Sequence, residues 1–335
     1  MGTIIDDVAK AAGVSTATVS RALRGLPNVT ASTKELVLRA AAELGYVPSR
    51  SASALASGHT RSVGLVVPAI SRWFFATALE GAEHTLRSAG FDALLYSLPD
   101  DTSPRAAFDP DVLRSRVDAV LVVSMFFTAD EVELLRSLQL PVVFVSVAQP
   151  GFSHVGIDDQ EAAIQAVSHL IQLGHKVIGQ ISGAASDPNP HSPTARRRSG
   201  WRLALERAGL EAADELDEPG NMSADGGLLA THALLDRRPD ITALFASSDE
   251  TGMGAIQALR ERGLAVGKDV SVVGIDGHNL GGVVGLTTVT QPAYDQGAKA
   301  ASMLLEALAQ PSPELVSVIF GTTLLQRSSA GPAPG

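Results

Sequence analysis

The stretch that most restricts the fold of this chain is residues 3–26, where apolar positions recur at helical spacing on both sides of a glycine. Thr3 with Asp6 predicts a capping box for a first helix. Gly13 supplies a turn, and Ser15 predicts the N-cap of a second helix. The apolar positions that would face one another across the turn are Val8, Ala9, Ala12, Val19, Ala22 and Leu23. This pattern predicts a helix-turn-helix, a motif that places its second helix in the major groove of DNA.

The second predicted helix presents short hydroxylated side chains, a methyl group and one guanidinium at its N-terminal end. Such groups suit phosphate oxygens, thymine methyls and guanine edges. The candidate DNA-contacting residues of this helix are Ser15, Thr16, Ala17, Thr18, Ser20 and Arg21. Any two amphipathic helices around a glycine show a similar pattern, so the following residues matter for the interpretation.

Residues 32–58 make the interpretation specific. Ser32 with Glu35 predicts a further capping box, which opens a third helix that Gly45 ends. The apolar positions that repeat along this helix are Val37, Leu38, Ala41 and Leu44. The whole N-terminal region resembles the DNA-binding headpiece and hinge of the LacI/GalR family of bacterial transcription regulators. The segments that carry the resemblance are Asp7-Val8-Ala9, Ala12-Gly13-Val14-Ser15, Thr18-Val19-Ser20-Arg21, Leu44-Gly45-Tyr46-Val47-Pro48 and Ala54-Leu55-Ala56-Ser57-Gly58.

The resemblance continues at lower density to about residue 328 and implies how DNA is bound. It implies a homodimer on a palindromic operator, with Thr3 and the hinge residues Arg50, Ala52 and Leu55 among the DNA contacts. Residues 50–57 are too few for a stable isolated helix, so we expect this segment to be helical only against its symmetry mate on DNA. In the family, a leucine matching Leu55 enters the minor groove and kinks it. The alternative is that Leu55 packs on the first lobe.

Composition restricts the class of protein. The chain has 335 residues and no cysteine, so disulfides and thiolate metal sites are excluded. Its net charge is −10, yet the first 61 residues carry seven Lys or Arg against four Asp or Glu. A basic end on an acidic body can bind DNA while the body stays off it. With no signal-peptide pattern and no apolar run long enough for a membrane helix, we expect a cytoplasmic protein with no cofactor, no metal and no membrane partner.

Short apolar runs alternate with helical patterns from residue 63 onward. The predicted strands are 63–67, 93–96, 119–123, 142–147, 177–181, 243–246 and 270–275. The predicted helices are 75–89, 130–138, 159–173, 195–208, 224–236, 250–262 and 292–309. Alternation of this kind predicts parallel sheets covered on both faces, with ligands bound beyond the carboxyl ends of the strands.

The predicted fold is an all-α helix-turn-helix headpiece followed by an α/β core of two doubly wound parallel-sheet lobes, similar to a periplasmic binding protein. The length of the core favours two lobes over one sheet, and the resemblance implies three crossings between them, near 157–159, 286–291 and 320–323. The predicted divisions are a headpiece at 1–48, a hinge at 49–60, lobe 1 at 61–157 and 291–320, lobe 2 at 158–286 and 321–330, and a disordered tail at 331–335.

Ligand candidates come from strand ends and helix starts. Three consecutive aromatic residues follow the first predicted core strand, and one of them could stack on a ligand ring or simply pack in the core or a dimer contact. The resemblance selects Phe75, with Ser71 beside it. An arginine run at 196–198 sits at a predicted helix N-terminus, where positive charge is unfavourable unless a polar or anionic group binds. The resemblance selects Arg197, whose guanidinium fork suits a diol or a carboxylate.

Carboxylates that end strands can accept hydrogen bonds from sugar hydroxyls. Asp276 matches a ligand-binding aspartate of the family, whereas Asp249 can either contact ligand or cap the next helix. The remaining cleft candidates are Ser146, Met222, Ser248 and Gln291. Relatives often carry a carboxylate at the position of Ser146 and an asparagine at that of Ser248, so no relative's ligand can be transferred directly.

The sequence thus predicts a DNA-binding regulator, most simply a repressor, whose operator affinity is controlled by a small ligand in the cleft of the core, and we expect this ligand to be a sugar or a sugar derivative. The alternative is an α/β NAD-dependent enzyme with an added helical domain, suggested by Gly252-Met253-Gly254-Ala255-Ile256-Gln257. That fingerprint lacks its third glycine, and no nucleophile–base motif accompanies it. A free periplasmic solute receptor is opposed by the headpiece and by the missing signal peptide.

Overall fold

The computed structural model describes residues 4–23, 26–46, 59–98, 113–184, 189–310 and 314–335. The chain divides into two compact units, one up to Arg61 and one from Ser62 to Gly335. The first unit is a three-helix headpiece. Its helices are α1 Ile5–Ala12, α2 Thr16–Leu23 and α3 Ala31–Glu43.

The headpiece core is built from small apolar side chains of all three helices. Its buried members are Val8, Ala9, Ala12, Val19, Ala22, Val37, Ala40 and Ala41. Gly13 links α1 to α2 with a φ of 63°, a left-handed value that glycine adopts without steric cost. The predicted apolar positions of α1 and α2 are thus confirmed. Of the repeating apolar positions of the third helix, Leu38 in α3 and Leu44 at its C-cap lie 47% and 39% exposed and stay outside this core.

The helix starts differ in part from the predicted capping boxes. Ser15 caps α2, with its Oγ accepting the backbone N–H of Thr18 at 3.2 Å. At α1 the backbone N–H of Ile4 donates to the Asp7 carboxylate at 3.1 Å, so the prediction for Asp6 is one residue out of register, and Thr3 lies outside the described residues. Helix α3 is capped by Thr30, whose Oγ1 accepts the N–H of Thr33 at 3.2 Å, and not by Ser32.

The second unit contains two six-stranded sheets. The first sheet has the order β11-β5-β4-β3-β1-β2, and the second has the order β12-β10-β9-β8-β6-β7. The strands of the first sheet are β1 Ser62–Val67, β2 Asp92–Ser97, β3 Ala119–Val123, β4 Val142–Val145, β5 Ser153–Ile157 and β11 Ser317–Phe320. The strands of the second are β6 Ile178–Ser182, β7 Asp217–Pro219, β8 Ala243–Ala246, β9 Ser271–Asp276, β10 Thr287–Thr290 and β12 Thr323–Leu325. All pairings are parallel except that of β12 with β10.

Helices cover both sheets, and neighbouring helices bring their backbones into contact where a glycine leaves room for it. They are α4 Trp73–Ser88, α5 Ala129–Ser137, α6 Asp159–Gln172, α7 Pro193–Arg207, α8 Ala224–Arg237, α9 Asp249–Glu261, α10 Gly281–Val284 and α11 Ala293–Ala309. A Cβ added at Gly297 of α11 would lie 1.8 Å from the carbonyl oxygen of Ala78 in α4. A Cβ at Gly254 of α9 would lie 2.0 Å from the carbonyl oxygen of Ala224. Gly254 therefore serves helix packing inside α9, not the phosphate-binding turn that a dinucleotide fingerprint requires.

The chain passes between the sheets where β5 leads into α6, where β10 leads into α11, and where β11 leads into β12. The predicted fold class is confirmed, with every predicted strand and helix of the core present within a few residues. The short strands β5, β7, β10, β11 and β12 were not predicted as bounded elements. The tail at 331–335, which was predicted to be disordered, is instead hydrogen-bonded to the second lobe. The Gly331 N–H donates to Ser271 Oγ at 3.0 Å, and the Ala333 N–H donates to the Leu173 carbonyl at 2.9 Å.

Within the described ranges, none of the helices has the length and apolar character needed to cross a membrane. The same residues contain no group of three or more His, Asp or Glu arranged to hold a metal ion.

Candidate functional site

The predicted DNA-contacting residues of the headpiece lie together at the start of α2. Thr16, Ala17 and Arg21 are exposed, and Thr18 and Ser20 are half-buried. Ser15 Oγ lies 2.9 Å from the Thr18 hydroxyl, so the cap residue also fixes the orientation of that side chain. The predicted hinge contacts Arg50, Ala52 and Leu55 lie outside the described residues, as does Thr3.

Arg197 is the centre of a buried polar network at the carboxyl edge of the second sheet. Its Nε and Nη2 both lie 2.8 Å from Asp159 Oδ1, and its Nη1 donates to the carbonyl oxygen of Ser247. Nη1 also lies 3.8 Å from Asp276 Oδ1. Burial opposes the charge of Arg197, but Asp159 and then Asp276 outweigh it and raise the pKa of the guanidinium. The fork proposed for a ligand diol or carboxylate is therefore already occupied by the chain's own acceptors.

Asp276 ends β9 in a strained conformation with a φ of 144°. Its Oδ1 accepts the Gln291 amide at 2.7 Å, and its Oδ2 accepts the backbone N–H of Asp249 at 3.3 Å. Gln291 in turn accepts a hydrogen bond from Gln296 of α11 at 2.9 Å. Burial, together with the nearby Asp249 carboxylate, raises the pKa of Asp276 to about 7 despite the charge of Arg197. The network therefore links the second sheet to the segment that crosses back to the first.

Asp249 and Ser248 are engaged within the second lobe. Asp249 is fully buried, and its Oδ2 accepts the backbone N–H groups of Gly277 and His278 at 2.9 and 2.7 Å. Burial raises the pKa of Asp249 to about 6. Ser248 caps α9 by accepting the N–H of Thr251 at 3.2 Å. Asp249 thus fixes the loop after β9. The alternative that Asp249 caps the next helix is wrong, because Ser248 is the N-cap of α9.

A cavity of about 230 Å³ adjoins this network where the chain first crosses between the sheets. Its polar lining residues are Ser146, His154, Asp158, Asp159, His191 and Arg196. Ser146 has a φ of 72°, and its carbonyl oxygen lies 3.2 Å from His154 Nε2. Burial lowers the pKa of His154, so its imidazole is neutral at neutral pH. Of the predicted ligand residues, Ser146 therefore lines an open space, and Asp159 joins that space to Arg197.

A set of contacts, the interlobe clasp, joins the start of α4 to the second lobe. It consists of Arg72, Trp73, Met222, Glu250 and His278. The Arg72 guanidinium donates to the Met222 carbonyl oxygen and lies 3.9 Å from the Glu250 carboxylate. The backbone N–H of Trp73 donates to Glu250 Oε1 at 3.1 Å, and the Trp73 and His278 rings lie 5.3 Å apart. These contacts hold the two lobes together at the cleft.

The structure separates the remaining predicted ligand residues into two environments. Ser71 is exposed beside the clasp, and Met222 takes part in it through its carbonyl oxygen with a φ of 53°. Phe75, two residues after Trp73 in α4, is half-buried against the first-lobe core and packs edge-on to Phe74. The structure thus brings Arg197, Asp249, Asp276 and Gln291 together in one network, and Ser248 lies beside it as the cap of α9. Ser146 lines the adjoining cavity, Ser71 and Met222 lie at the clasp, and Phe75 packs on the first-lobe core.

Four features of the site were not predicted from the sequence: Trp73, Asp159, His278 and the partnership of Arg72 with Glu250. Trp73 belongs to the aromatic run after the first core strand, and Glu250 follows the strand-end pair Ser248 and Asp249. The sequence therefore drew attention to the segments that hold Trp73 and Glu250, but nothing in it indicated that these two residues contact each other.

Known proteins match this chain along nearly its whole length. Residues 4–49 match the family described as bacterial regulatory proteins, lacI family. Residues 60–320 match the family described as periplasmic binding proteins and sugar binding domain of LacI family. The chain belongs to the LacI family. This membership confirms the resemblance and identifies the chain as a DNA-binding transcriptional regulator with a ligand-controlled core.

Individual relatives agree with this assignment. Catabolite control protein A of Priestia megaterium is 35% identical over 308 residues, which cover 91% of this chain and 92% of that protein. The regulator CelR of Thermobifida fusca is 33% identical over 341 residues, covering 97% of each. Among solved structures, a transcriptional regulator CelR–cellobiose complex is 32% identical with a TM-score of 0.70, covering 98% of this chain and 99% of that one. The lac repressor dimer bound to operator is 24% identical with a TM-score of 0.87 over 99% of this chain and all of that one, and it supports the two-lobed fold.

Proposed function

We propose that this LacI-family regulator is a repressor that binds a palindromic operator as a homodimer and releases or retains it according to a carbohydrate bound between the lobes. The observation that carries the proposal is the buried network of Arg197, Asp276 and Gln291, which lies at the cleft and reaches the segment crossing between the lobes. The relative CelR is described in complex with cellobiose, which supports a sugar as the ligand class.

The proposed mechanism links ligand binding to lobe closure. A ligand whose hydroxyls contact Asp276 or Gln291 adds bonds that exist only when both lobes surround it. Closure in turn changes the positions at which the two hinges of a dimer leave their cores. A change of this kind alters operator affinity by a coupling free energy between two distinct sites.

At the operator, we propose that each α2 helix reads one half-site through Thr16, Ala17 and Arg21. The hinge segment, with Arg50, Ala52 and Leu55, orders between the half-sites. On this proposal Leu55 wedges into the minor groove, whereas packing on the first lobe remains the alternative. Replacement of Leu55 by alanine is expected to remove the DNA bend and to weaken specific binding, while electrostatic non-specific binding persists. Bend angles from circular-permutation gel shifts distinguish the two.

We further propose that the chain acts in the cytoplasm and catalyses no reaction. Support comes from membership of a regulatory DNA-binding family and from the use of the fingerprint-like glycines in α9 for helix packing. If the protein catalysed a reaction on its ligand, a product would appear after prolonged incubation. Chromatography of the sugar recovered from such an incubation therefore tests the proposal that the chain catalyses no reaction.

The central experiment combines a mobility shift with a ligand screen. The full chain is titrated onto the DNA upstream of its own coding sequence, and sugars that raise its melting temperature are then added to the complex. A sugar that stabilises the protein and changes operator affinity supports the proposal. Asp276→Ala is expected to abolish the response to that sugar while leaving operator binding in place. If no upstream fragment is bound more tightly than unrelated DNA at matched salt, the repressor assignment is wrong.

A further inference from the structure

The arginines around the cleft are matched by carboxylates of the chain itself. Arg197 lies 2.8 Å from Asp159, and both side chains are less than a tenth exposed. Its remaining nitrogen is taken by the Ser247 carbonyl oxygen and approaches Asp276 at 3.8 Å. An anionic ligand that recruited Arg197 would leave the buried Asp159 carboxylate without its partner, which is strongly unfavourable.

The neighbouring arginines show the same arrangement. Arg196 lies 3.2 Å from Asp158, and both residues line the cavity. Arg198 lies 2.6 Å from Asp217 and also donates to Ser182 at 2.9 Å. At the opposite border Arg72 faces Glu250. Each of these guanidinium groups therefore meets a carboxylate before any ligand arrives.

Two further acidic groups in the network add hydrogen-bond acceptors and no positive charge. They are Asp249 and Asp276, which lie beside the paired carboxylates, with Asp276 Oδ2 accepting the Asp249 N–H at 3.3 Å. Burial lowers the pKa of His154 in the cavity and of His278 in the clasp, so neither of these two imidazoles adds positive charge. The described part of the cleft thus offers hydrogen-bond acceptors and saturated arginines to a ligand.

We infer that the effector carries no negative charge where the cleft holds it, so that an uncharged sugar binds and its phosphorylated or uronate counterpart does not. This inference rests on the proposed function, because it specifies the ligand class of the same cleft. Carboxylate and amide oxygens accept hydroxyl hydrogens, whereas a phosphate needs donors or unmatched cations to replace its hydration. Specificity against anions follows from the like charges they would meet.

The first test uses inorganic phosphate as the probe. Calorimetry of the full wild-type chain, at constant ionic strength with chloride as the matched salt, is expected to show no saturable phosphate binding in the millimolar range. Asp159→Asn keeps an oxygen that can accept the Arg197 N–H groups but removes the negative charge that matches the guanidinium, so the variant is expected to gain saturable phosphate binding, by roughly tenfold or more. Asp225→Asn, an exposed change at the start of α8, is the control and is expected to behave as wild type.

A second variant and a ligand series complete the test. If Asp159→Asn fails to fold by circular dichroism, Asp158→Asn releases the half-exposed Arg196 in the same cavity. Glucose is compared with glucose phosphate and glucuronate, and ribose with ribose phosphate, by melting temperature and calorimetry. Binding of the neutral member alone supports the inference. Saturable phosphate binding to wild type, or tighter binding of any anionic member, overturns it. If no sugar of the series binds, the phosphate titrations alone decide.

Failure of the proposed function has a different signature. A protein that binds no operator, or whose operator complex responds to no ligand, contradicts the repressor assignment whatever the phosphate titrations show. Conversely, operator binding that a sugar phosphate abolishes would support the proposed function and overturn the inference that the effector is uncharged.

Discussion

Replacing Asp276 with asparagine is expected to flatten the pH dependence of the core's stability. In the folded protein, burial and the Asp249 carboxylate raise the pKa of Asp276 to about 7. In an unfolded chain an aspartate titrates at roughly 3.9, so between roughly pH 4 and 7 the native state binds the proton more tightly. Stability contributed by this group is therefore present at low pH and is lost as the pH rises through that window.

The magnitude follows from the size of the shift. A difference of about 3 pKa units, at about 1.36 kcal/mol each, corresponds to at most roughly 4 kcal/mol over the whole window, because Asp249 titrates in the same range and remains in the variant. Between about pH 5 and 8 it corresponds to roughly 2–3 kcal/mol. The asparagine side chain of the variant does not titrate and keeps the shape of the aspartate. Any loss of its bond to the Asp249 N–H adds a cost that does not depend on pH, so it cancels when two pH values are compared.

The assay is urea unfolding at these two pH values, followed by tryptophan fluorescence. Trp201 is fully buried in the second lobe with its Nε1 donating to the Ile178 carbonyl at 3.2 Å, and a Trp73→Phe background makes it the only tryptophan. Asp295→Asn, at an exposed position of α11, is the control. If wild type and Asp276→Asn lose the same free energy of unfolding between the two pH values, the proposed burial of a proton-binding carboxylate is refuted.

Three further outcomes are expected. Arg21→Ala, on the exposed face of α2, should weaken operator binding by roughly 1–3 kcal/mol without unfolding the headpiece, and unchanged affinity in filter binding at two salt concentrations contradicts this placement. Ser15→Ala removes the 3.2 Å cap bond and should lower headpiece stability by about 1 kcal/mol in thermal unfolding by circular dichroism, whereas no change means that the cap is dispensable. Glu250→Ala removes the acceptor of the Trp73 N–H and should favour the open cleft by roughly 1–3 kcal/mol, seen as a larger radius of gyration by small-angle scattering. Glu261→Ala, near the far end of the same helix, is its control, and equal radii for the two variants count against the clasp.

The parts of the fold that could be predicted from the sequence are those with local causes. The helix-turn-helix follows from periodicity around Gly13, and the strand Ala119–Val123 is an uninterrupted apolar run that is fully buried. Strands β10, β11 and β12 were not bounded because they are short and threonine-rich or lie at sheet edges. Ile319 of β11 is 54% exposed between the half-buried Val318 and Phe320, so the sequence shows a short apolar run there although burial alternates along the strand.

The same contrast applies to the candidate site. Asp276 could be selected because parallel strands deliver their carboxyl ends to one edge, where ligands bind. Whether the Arg197 guanidinium is free to bind a ligand could not be judged from the sequence. Its partner Asp159 lies 38 positions away on a different helix. A sequence shows that a guanidinium is present, whereas only the fold shows whether its hydrogen-bonding capacity is still available to a ligand.

The position of the clasp gives the aromatic run a second role. Phe75 packs into the first-lobe core, while Trp73, two residues earlier, meets the His278 ring across the cleft, because successive residues of a helix point in different directions. The backbone N–H of Trp73 belongs to the first turn of α4 and has no partner within that helix, so Glu250 of the other lobe satisfies it. Opening the cleft exposes that N–H to water, which replaces the bond at a modest net cost. A contact of this strength keeps the lobes closed without locking them, which is the condition under which a ligand can change the balance.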